Sequence, residues 1–410
     1  MPSLRIYFDY NASAPLNSAA REAVIAALQV SGNPSSVHQE GRAARTLVEN
    51  ARREVAALCG AKPDHVFFTS GATEAANTLL SPVYKMGRAE LRLSHLYVSA
   101  TEHPCMLAGG RFARENITVL PVDAQGIVDL AVLQQALVAH DKTKGLPLVA
   151  IQWANNETGI IQPVAEIGAL VKAAGGLFIV DAVQAAGRIA LDITTSSADY
   201  LILSSHKIGG PKGVGAVVAV SDLVMPDALV RGGGQEKGHR AGTEALPLIA
   251  GFGAAAREAN ISQMAVDGSN ALRWTYGLRE MIEDGVRALA PDVVVHGAGV
   301  ERLPNTSFIS LPGMKAETMQ IAFDLGGIAL SAGSACSSGK VGASHVLAAM
   351  GYDDECGALR VSTGQSATIQ DAEAFLTIFA RLVARRDQSR DQDRDRDLAK
   401  SSGENGKSAA

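Results

Sequence analysis

Seven short apolar runs punctuate residues 45 to 220: VFFTS, LYVSA, ITVL, LVAIQWA, LFIVDAV, LILSS and GAVVAV. Between them lie longer stretches of helical pattern. Strands alternating with helices predict a mostly parallel, seven-stranded sheet covered by helices on both faces, an α/β fold. Helix ends are marked by residues that favour them. Gly60 with Pro63 closes one helix, while Pro163 opens IQPVAEIGALVKAAGG and Gly175 and Gly176 close it. From about residue 256 the pattern changes to helix, then the strands VVVHG and TSFISL, then helix again, which predicts a smaller α+β unit. The expected division is a large domain at 15–255 and a small domain made of 1–14 and 256–385. Residues 386–410, RDQSRDQDRDRDLAKSSGENGKSAA, have almost no apolar content and read as a disordered tail.

Composition narrows the function classes. The 410 residues are 47% apolar and 19% charged with a formal charge of -5, a balance that suits a globular chain and argues against a nucleic-acid groove or a membrane surface. The start, MPSLRIYFDYNASAP, has no basic segment followed by an apolar one, so a cytoplasmic location is expected. Of the four cysteines, no two have the spacing of a zinc site, and no metal is expected. Cys59 reads as core or helix end. Cys336 stands alone among small residues in SAGSACSSGK, a setting that suits an exposed nucleophile, with oxidative pairing to Cys356 left open.

In open α/β sheets ligands gather at the carboxyl ends of strands, and five of the predicted ends carry reactive or polar groups. Ser70-Gly71-Ala72-Thr73 suits either a phosphate at a helix start or an ordinary cap. Asp181 ends LFIVD, with Gln184 three residues on; a carboxylate there holds a protonated heterocycle nitrogen or caps a turn. Lys207 follows LILSS and precedes Gly209, Gly210, Pro211 and Gly213, which places an ammonium on a constrained turn. Thr101, Glu102 and His103 follow LYVSA, offering an imidazole for stacking and proton transfer or a solvated loop. Asn155, Asn156 and Glu157 end LVAIQWA, as amide donors or a turn. A turn lysine, a strand-end aspartate and a Gly-Thr helix start together match the requirements of pyridoxal phosphate.

The ordered motifs FDYNASAP, GNPSS, FTSGATEAAN, TEHPCML, NNETG, DAVQAAG, SSHKIGGPKG, GGGQEKGHRAGTE and SAGSACSSGK resemble the cysteine desulfurases of the NifS/IscS group, over about residues 6 to 380. The resemblance implies a fold-type I pyridoxal phosphate enzyme, homodimeric, that converts L-cysteine to L-alanine and holds the sulfur as a persulfide. It further implies that Lys207 bonds the cofactor aldehyde, Asp181 faces the pyridine nitrogen and His103 stacks on the ring and moves protons. Asn156 and Gln184 fall on the ring-oxygen side, and Ala72, Thr73, Ser204 and His206 on the phosphate side. Thr243 reaches the phosphate from the other subunit. Arg360, with Asn156 and Asn33, receives the substrate, and Cys336 takes the sulfur and passes it to an acceptor protein, an iron–sulfur scaffold or a thiol carrier.

Three positions depart from the group's pattern. Ser205 replaces a glycine before His206-Lys207, Gly342-Ala343 replaces Glu-Pro, and Gln365 replaces an arginine. The C-terminal residues also lack the scaffold-docking segment of the IscS branch. The rival readings are a SufS or selenocysteine lyase-like enzyme, a class V aminotransferase, and a non-catalytic scaffold or sulfur-carrier adaptor. Ser331-Ala332-Gly333-Ser334-Ala335-Cys336 differs from the Arg-x-Gly-His-His-Cys loop of the SufS branch.

Overall fold

A computed structural model describes residues 5–264, 271–333, 344–352 and 357–405. All seven apolar runs form strands of one sheet, in the order Val66–Thr69, Gly215–Ala219, Tyr200–Ser204, Leu177–Asp181, Leu146–Gln152, Ala89–Ser99 and Ile117–Leu120. Gly215–Ala219 alone runs against its two neighbours; the other six point the same way. Their carboxyl ends, at Thr69, Ser99, Gln152, Asp181 and Ser204, therefore share one edge.

The sheet extends beyond the expected seven strands. The first half of Ala89–Ser99 pairs with Val83–Met86, which in turn pairs with Val224–Pro226, giving nine strands in all. Gly87, at φ +61, makes the turn into this hairpin. Lys85, Met86, Ala89, Glu90 and Arg92 are exposed, and the charged residues among them interrupt the apolar run.

Both sheet faces are covered. On one, the helices Ser18–Leu28, Gln39–Leu58 and Leu246–Met264 pack together over Phe68, Val180, Leu201 and Val218. Gln39–Leu58 does so because Ala44, Val48, Ala51, Val55 and Leu58 return on one side of the helix. On the other face, Ala75, Ala76 and Leu79 of the helix Ala72–Leu79 pack with Met106 against Val98, Ile179 and Ile202. The helix Leu246–Met264 crosses residue 255, and its buried residues through Ala259 belong to the first core.

A separate core joins Phe8 to residues between Leu278 and Val383, around an antiparallel sheet ordered Val294–Val295, Thr306–Ser310, Leu359–Ser362 and Ser331–Ala332. The N-terminal strand Ile6–Tyr7 pairs in parallel with Ile328–Ala329, and Asp9 bridges to Ser362. Where composition predicts a disordered tail, the last helix instead continues from Ile369 to Asn405. Its continuation past residue 385 has two physical supports. Arg, Gln, Lys and Leu favour helix, and Arg386 and Arg390 both bond the Asp292 carboxylate, at 2.9 and 3.0 Å. Among the described residues, no helix is long and apolar enough to cross a membrane.

Candidate active site

The shared strand edge encloses a cavity of about 570 Å³ whose walls include Ala72, Thr73, His103, Asn156, Asp181, Gln184, Ser204, His206 and Lys207. Nine of the thirteen residues implicated from sequence thus meet in one place. Asp181 and Ser204 arrive as the last residues of their strands. Lys207 sits on the short helical turn Ser205–Lys207. Gly210, just beyond, must stay small, because a Cβ there would lie 2.1 Å from Ser205 Oγ. The Lys207 ammonium donates to two main-chain carbonyls of the N-terminal segment, Asn11 O at 2.5 Å and Ala12 O at 3.0 Å.

The phosphate end of the cavity is formed by the helix Ala72–Leu79. Neither cap foreseen for it, Ser70 or Thr73, is used: the N-cap is Gly71, with no side-chain bond to the first-turn amides. The positive end of the helix dipole is left open toward the cavity. Gly215 lets the strand below approach, since a Cβ there would come within 2.8 Å of Gly71 Cα. Asn155 and Asn156 divide the two roles foreseen for them. Asn155 Oδ1 accepts from the amides of Glu157 and Thr158 and makes the turn, whereas Asn156 lines the cavity.

Electrostatics differ from wall to wall. Burial raises the Asp181 pKa above the usual carboxylate range, opposed by the Val183 N–H at 2.9 Å and by the charges of His103 and Lys207. A desolvated carboxylate in this position favours a cationic partner. Burial, then the repulsion of Lys207, Lys212 and Arg188, pushes His206 down to about 4, so it is a neutral imidazole at pH 7. Burial also raises Glu102 well above its ordinary value, because its carboxyl is fully enclosed; Oε1 accepts from Gln152 N at 2.7 Å. His103 caps the short helix Pro104–Leu107, its Nδ1 accepting from Cys105 N at 3.2 Å with Cys105 Sγ at 3.1 Å.

The remaining four residues stand elsewhere. Arg360 is fully buried behind the cavity wall, donating to Asp9 Oδ1 at 2.7 Å, Ser331 Oγ at 3.1 Å and Asn156 O at 3.1 Å. Among the described residues its Nε has no hydrogen-bond partner. Asn33 is exposed and turns its Oδ1 to Ser35 N. Thr243 is exposed, three residues from Arg240, whose Nε bonds Glu74 of the open helix at 3.0 Å. Cys336 lies outside the described residues.

Sequence reading missed several residues of the site and its supports. Asn11, which accepts from Lys207, and Ser13 come from FDYNASAP, and Cys105 and the exposed Lys212 line the cavity with Ser13. Arg52 stands on the helix Gln39–Leu58. It is buried, and it forms a two-pronged ion pair with buried Glu236 at 2.7 and 3.0 Å. Glu236 and Lys237 hold left-handed backbone at φ 48 and 56, so this pair pins a strained segment that leads to Arg240. Arg52→Ala leaves Glu236 buried without its cation and is expected to destabilise the fold by about 3–5 kcal/mol. Thermal unfolding checks this; a melting point equal to the parent's means the pair contributes no net stability.

An amine on a rigid turn, a buried carboxylate, amide donors and an uncapped helix start fit pyridoxal phosphate group by group. Fold and cavity together define a fold-type I pyridoxal-phosphate enzyme. Residues 6–375 match the Aminotransferase class-V family. The chain is 38% identical over 389 residues to a cysteine desulfurase of Sinorhizobium fredii, covering 93% of this chain and 97% of that one. Among solved structures, it resembles a NifS-like protein of Rickettsia africae, with a TM-score of 0.81, 33% identity and coverage of 92% and 98%. It also resembles SspA in complex with cysteine, with a TM-score of 0.70, 26% identity and coverage of 88% and 100%. The chain belongs to the class-V aminotransferase family, on the side of it occupied by the cysteine desulfurases.

Proposed function

We propose that this protein is a cysteine desulfurase that converts L-cysteine to L-alanine and holds the released sulfur on Cys336. The observation that carries the reading is the meeting of Lys207, Asp181, His103, Asn156 and Gln184 in one cavity under an open helix start. Pyridoxal phosphate, bound there, supplies an electron sink for the substrate α-carbon. Lys207 would hold it through its aldehyde and, once freed, would move the proton at that carbon. Asp181 keeps the pyridine nitrogen protonated, and Asn156 and Gln184 donate to the ring oxygen. Ala72, Thr73, Ser204 and neutral His206 hold the phosphate, joined by Thr243 of a second copy in a homodimer.

Arg360 takes the substrate carboxylate through its planar fork, with Asn156 and Asn33 beside it. Since Arg360 already holds Asp9, the substrate carboxylate must share or displace that partner. His103 exchanges protons with the thiols. The Cys336 thiolate attacks the substrate sulfur; an S–S bond forms, the C–S bond breaks, and its electron pair remains on the carbon that is protonated to give alanine. The persulfide then passes to an acceptor protein, an iron–sulfur scaffold or thiol carrier, in the cytoplasm.

The test is to supply purified protein with L-cysteine and measure alanine, sulfur and the mass of the Cys336 peptide. Equal alanine and sulfur with an increment of about 32 Da, one sulfur atom, is the expected result. Alanine formation that depends on an added keto acid and leaves Cys336 unmodified would make it an aminotransferase instead. Asp181→Asn removes the charge opposite the ring nitrogen and is expected to lower the turnover number roughly 10²-fold, about 2.7 kcal/mol of barrier. Its Michaelis constant for cysteine should change little, and undiminished turnover would remove Asp181 from the site.

A further inference from the structure

Arg188 is buried one turn beyond Gln184, and no role has yet been given to it. Its Nη1 donates to Gln184 O at 2.7 Å and to Gln184 Oε1 at 2.8 Å, and its Nη2 to Lys207 O at 3.3 Å and Tyr10 O at 3.4 Å. All four acceptors are neutral oxygens. Burial and then the charge of Arg360 lower its pKa to about 10, and its own charge helps to lower that of His206. A buried guanidinium compensated only by neutral oxygens is costly to keep.

The geometry explains what it secures. A guanidinium only donates, so the Gln184 atom facing it must be the amide oxygen, and the other end must be the NH₂ group. That end gives one hydrogen to Asn11 O at 3.0 Å, the same carbonyl that receives Lys207 Nζ. Its second hydrogen is left for the cavity that Gln184 lines.

We propose that Arg188 is a positioning residue: it locks the Gln184 amide with its donor end toward the cofactor ring oxygen and ties that amide to the turn bearing Lys207. This rests on the pyridoxal-phosphate reading of the same cavity and goes beyond it by naming what fixes the donor. Without Arg188 the amide is free to turn over and present its oxygen, which repels an anionic ring oxygen.

The experiment compares holoenzyme of the parent, Arg188→Met and Arg188→Lys. It records the pH titration of the cofactor's visible band, the cofactor dissociation constant, and the turnover and Michaelis constants for alanine formation. In Arg188→Met the band pKa is expected to rise, because losing a cation and a donor both favour the protonated cofactor. Cofactor affinity is expected to fall about tenfold, the scale of one hydrogen bond to a charged group. Arg188→Lys restores the charge without the fork and should recover the band pKa only in part. A lower melting point with an unmoved band and unchanged affinity would show a merely structural arginine and overturn the proposal. Should Arg188→Met fail to fold, Gln184→Glu keeps an oxygen for Arg188 but turns an oxygen toward the cavity. It is expected to raise the band pKa too, and an unmoved band there also overturns the proposal. A parent protein that shows no visible band with pyridoxal phosphate overturns the cofactor reading itself, a result distinct from a normal parent with unmoved variants.

Discussion

Lys207→Ala is expected to lose alanine formation by at least roughly 10³-fold, since positioned proton transfer alone contributes roughly 10²–10⁴-fold and the covalent tether to the cofactor is lost as well. The structure supplies the reason. The lysine is fixed on the turn Ser205–Lys207, and its ammonium is held by the carbonyls of Asn11 and Ala12, neither of which can accept a proton from substrate. Among the residues lining the cavity, Lys212 is the only other amine, on the exposed far side of the Gly209–Gly213 turn. Lys207→Arg should be as inactive as Lys207→Ala, because a guanidinium stays protonated throughout the working pH range. Cofactor bound to either variant should be removable by dialysis. Turnover within tenfold of the parent in Lys207→Ala would reassign the base.

Cys336→Ser is expected to abolish the persulfide and lower alanine formation by at least roughly three orders of magnitude, since removal of a catalytic nucleophile can cost about 2 × 10⁶-fold. A hydroxyl at neutral pH is not ionised and is a poor attacker of sulfur, whereas a thiolate is a good one. Both ends of the segment that carries Cys336 are fastened to walls of the site. Ser331 bonds Arg360 and Asp9, and Gly333 N donates to Ala358 O at 2.8 Å. At the other end Ser344 caps the helix His345–Ala349 and bonds Glu157 Oε2 at 2.6 Å, one residue from Asn156. The change in the cofactor spectrum on adding cysteine should persist in Cys336→Ser, because substrate binding does not need the thiol. Sulfur release at the parent's rate would place the nucleophile elsewhere.

The large sheet was legible because its strands are local runs of apolar residues, each closed by a turn signal. Its hairpin extension was not, since Lys85, Glu90 and Arg92 interrupt the apolar residues of Val83–Met86 and of the first half of Ala89–Ser99. The second sheet was read only in part: VVVHG and TSFISL contain its strands Val294–Val295 and Thr306–Ser310, while Leu359–Ser362 was not foreseen and Ser331–Ala332, two residues long, owes its form to pairing. The cavity residues were legible for a similar reason: each stands at the end of a recognisable strand. Those that act through distant contacts were not. Arg52 looks like a solvated helix residue until Glu236, 184 positions away, is packed against it. Arg188 looks like a loop cation until Gln184 and Lys207 surround it. Arg360 was singled out as a substrate residue, but nothing local foretold that Asp9 would hold it. In the charged C-terminal stretch composition reports the missing core but not the two arginines that Asp292 captures.

The N-terminal segment has a consequence for the order in which the molecule is made. Residues 6–12 are made before the residues that follow them, yet some of their partners, Ile328–Ala329, Arg360 and Ser362, lie more than 300 residues downstream. The carbonyls that hold Lys207 belong to this segment, so a nascent chain that already contains the whole large sheet still lacks a fixed lysine. Contacts this distant in sequence form late, after the loop between them has been closed. The full set of contacts that fixes the segment holding the reactive amine is thus complete only when synthesis has passed residue 362.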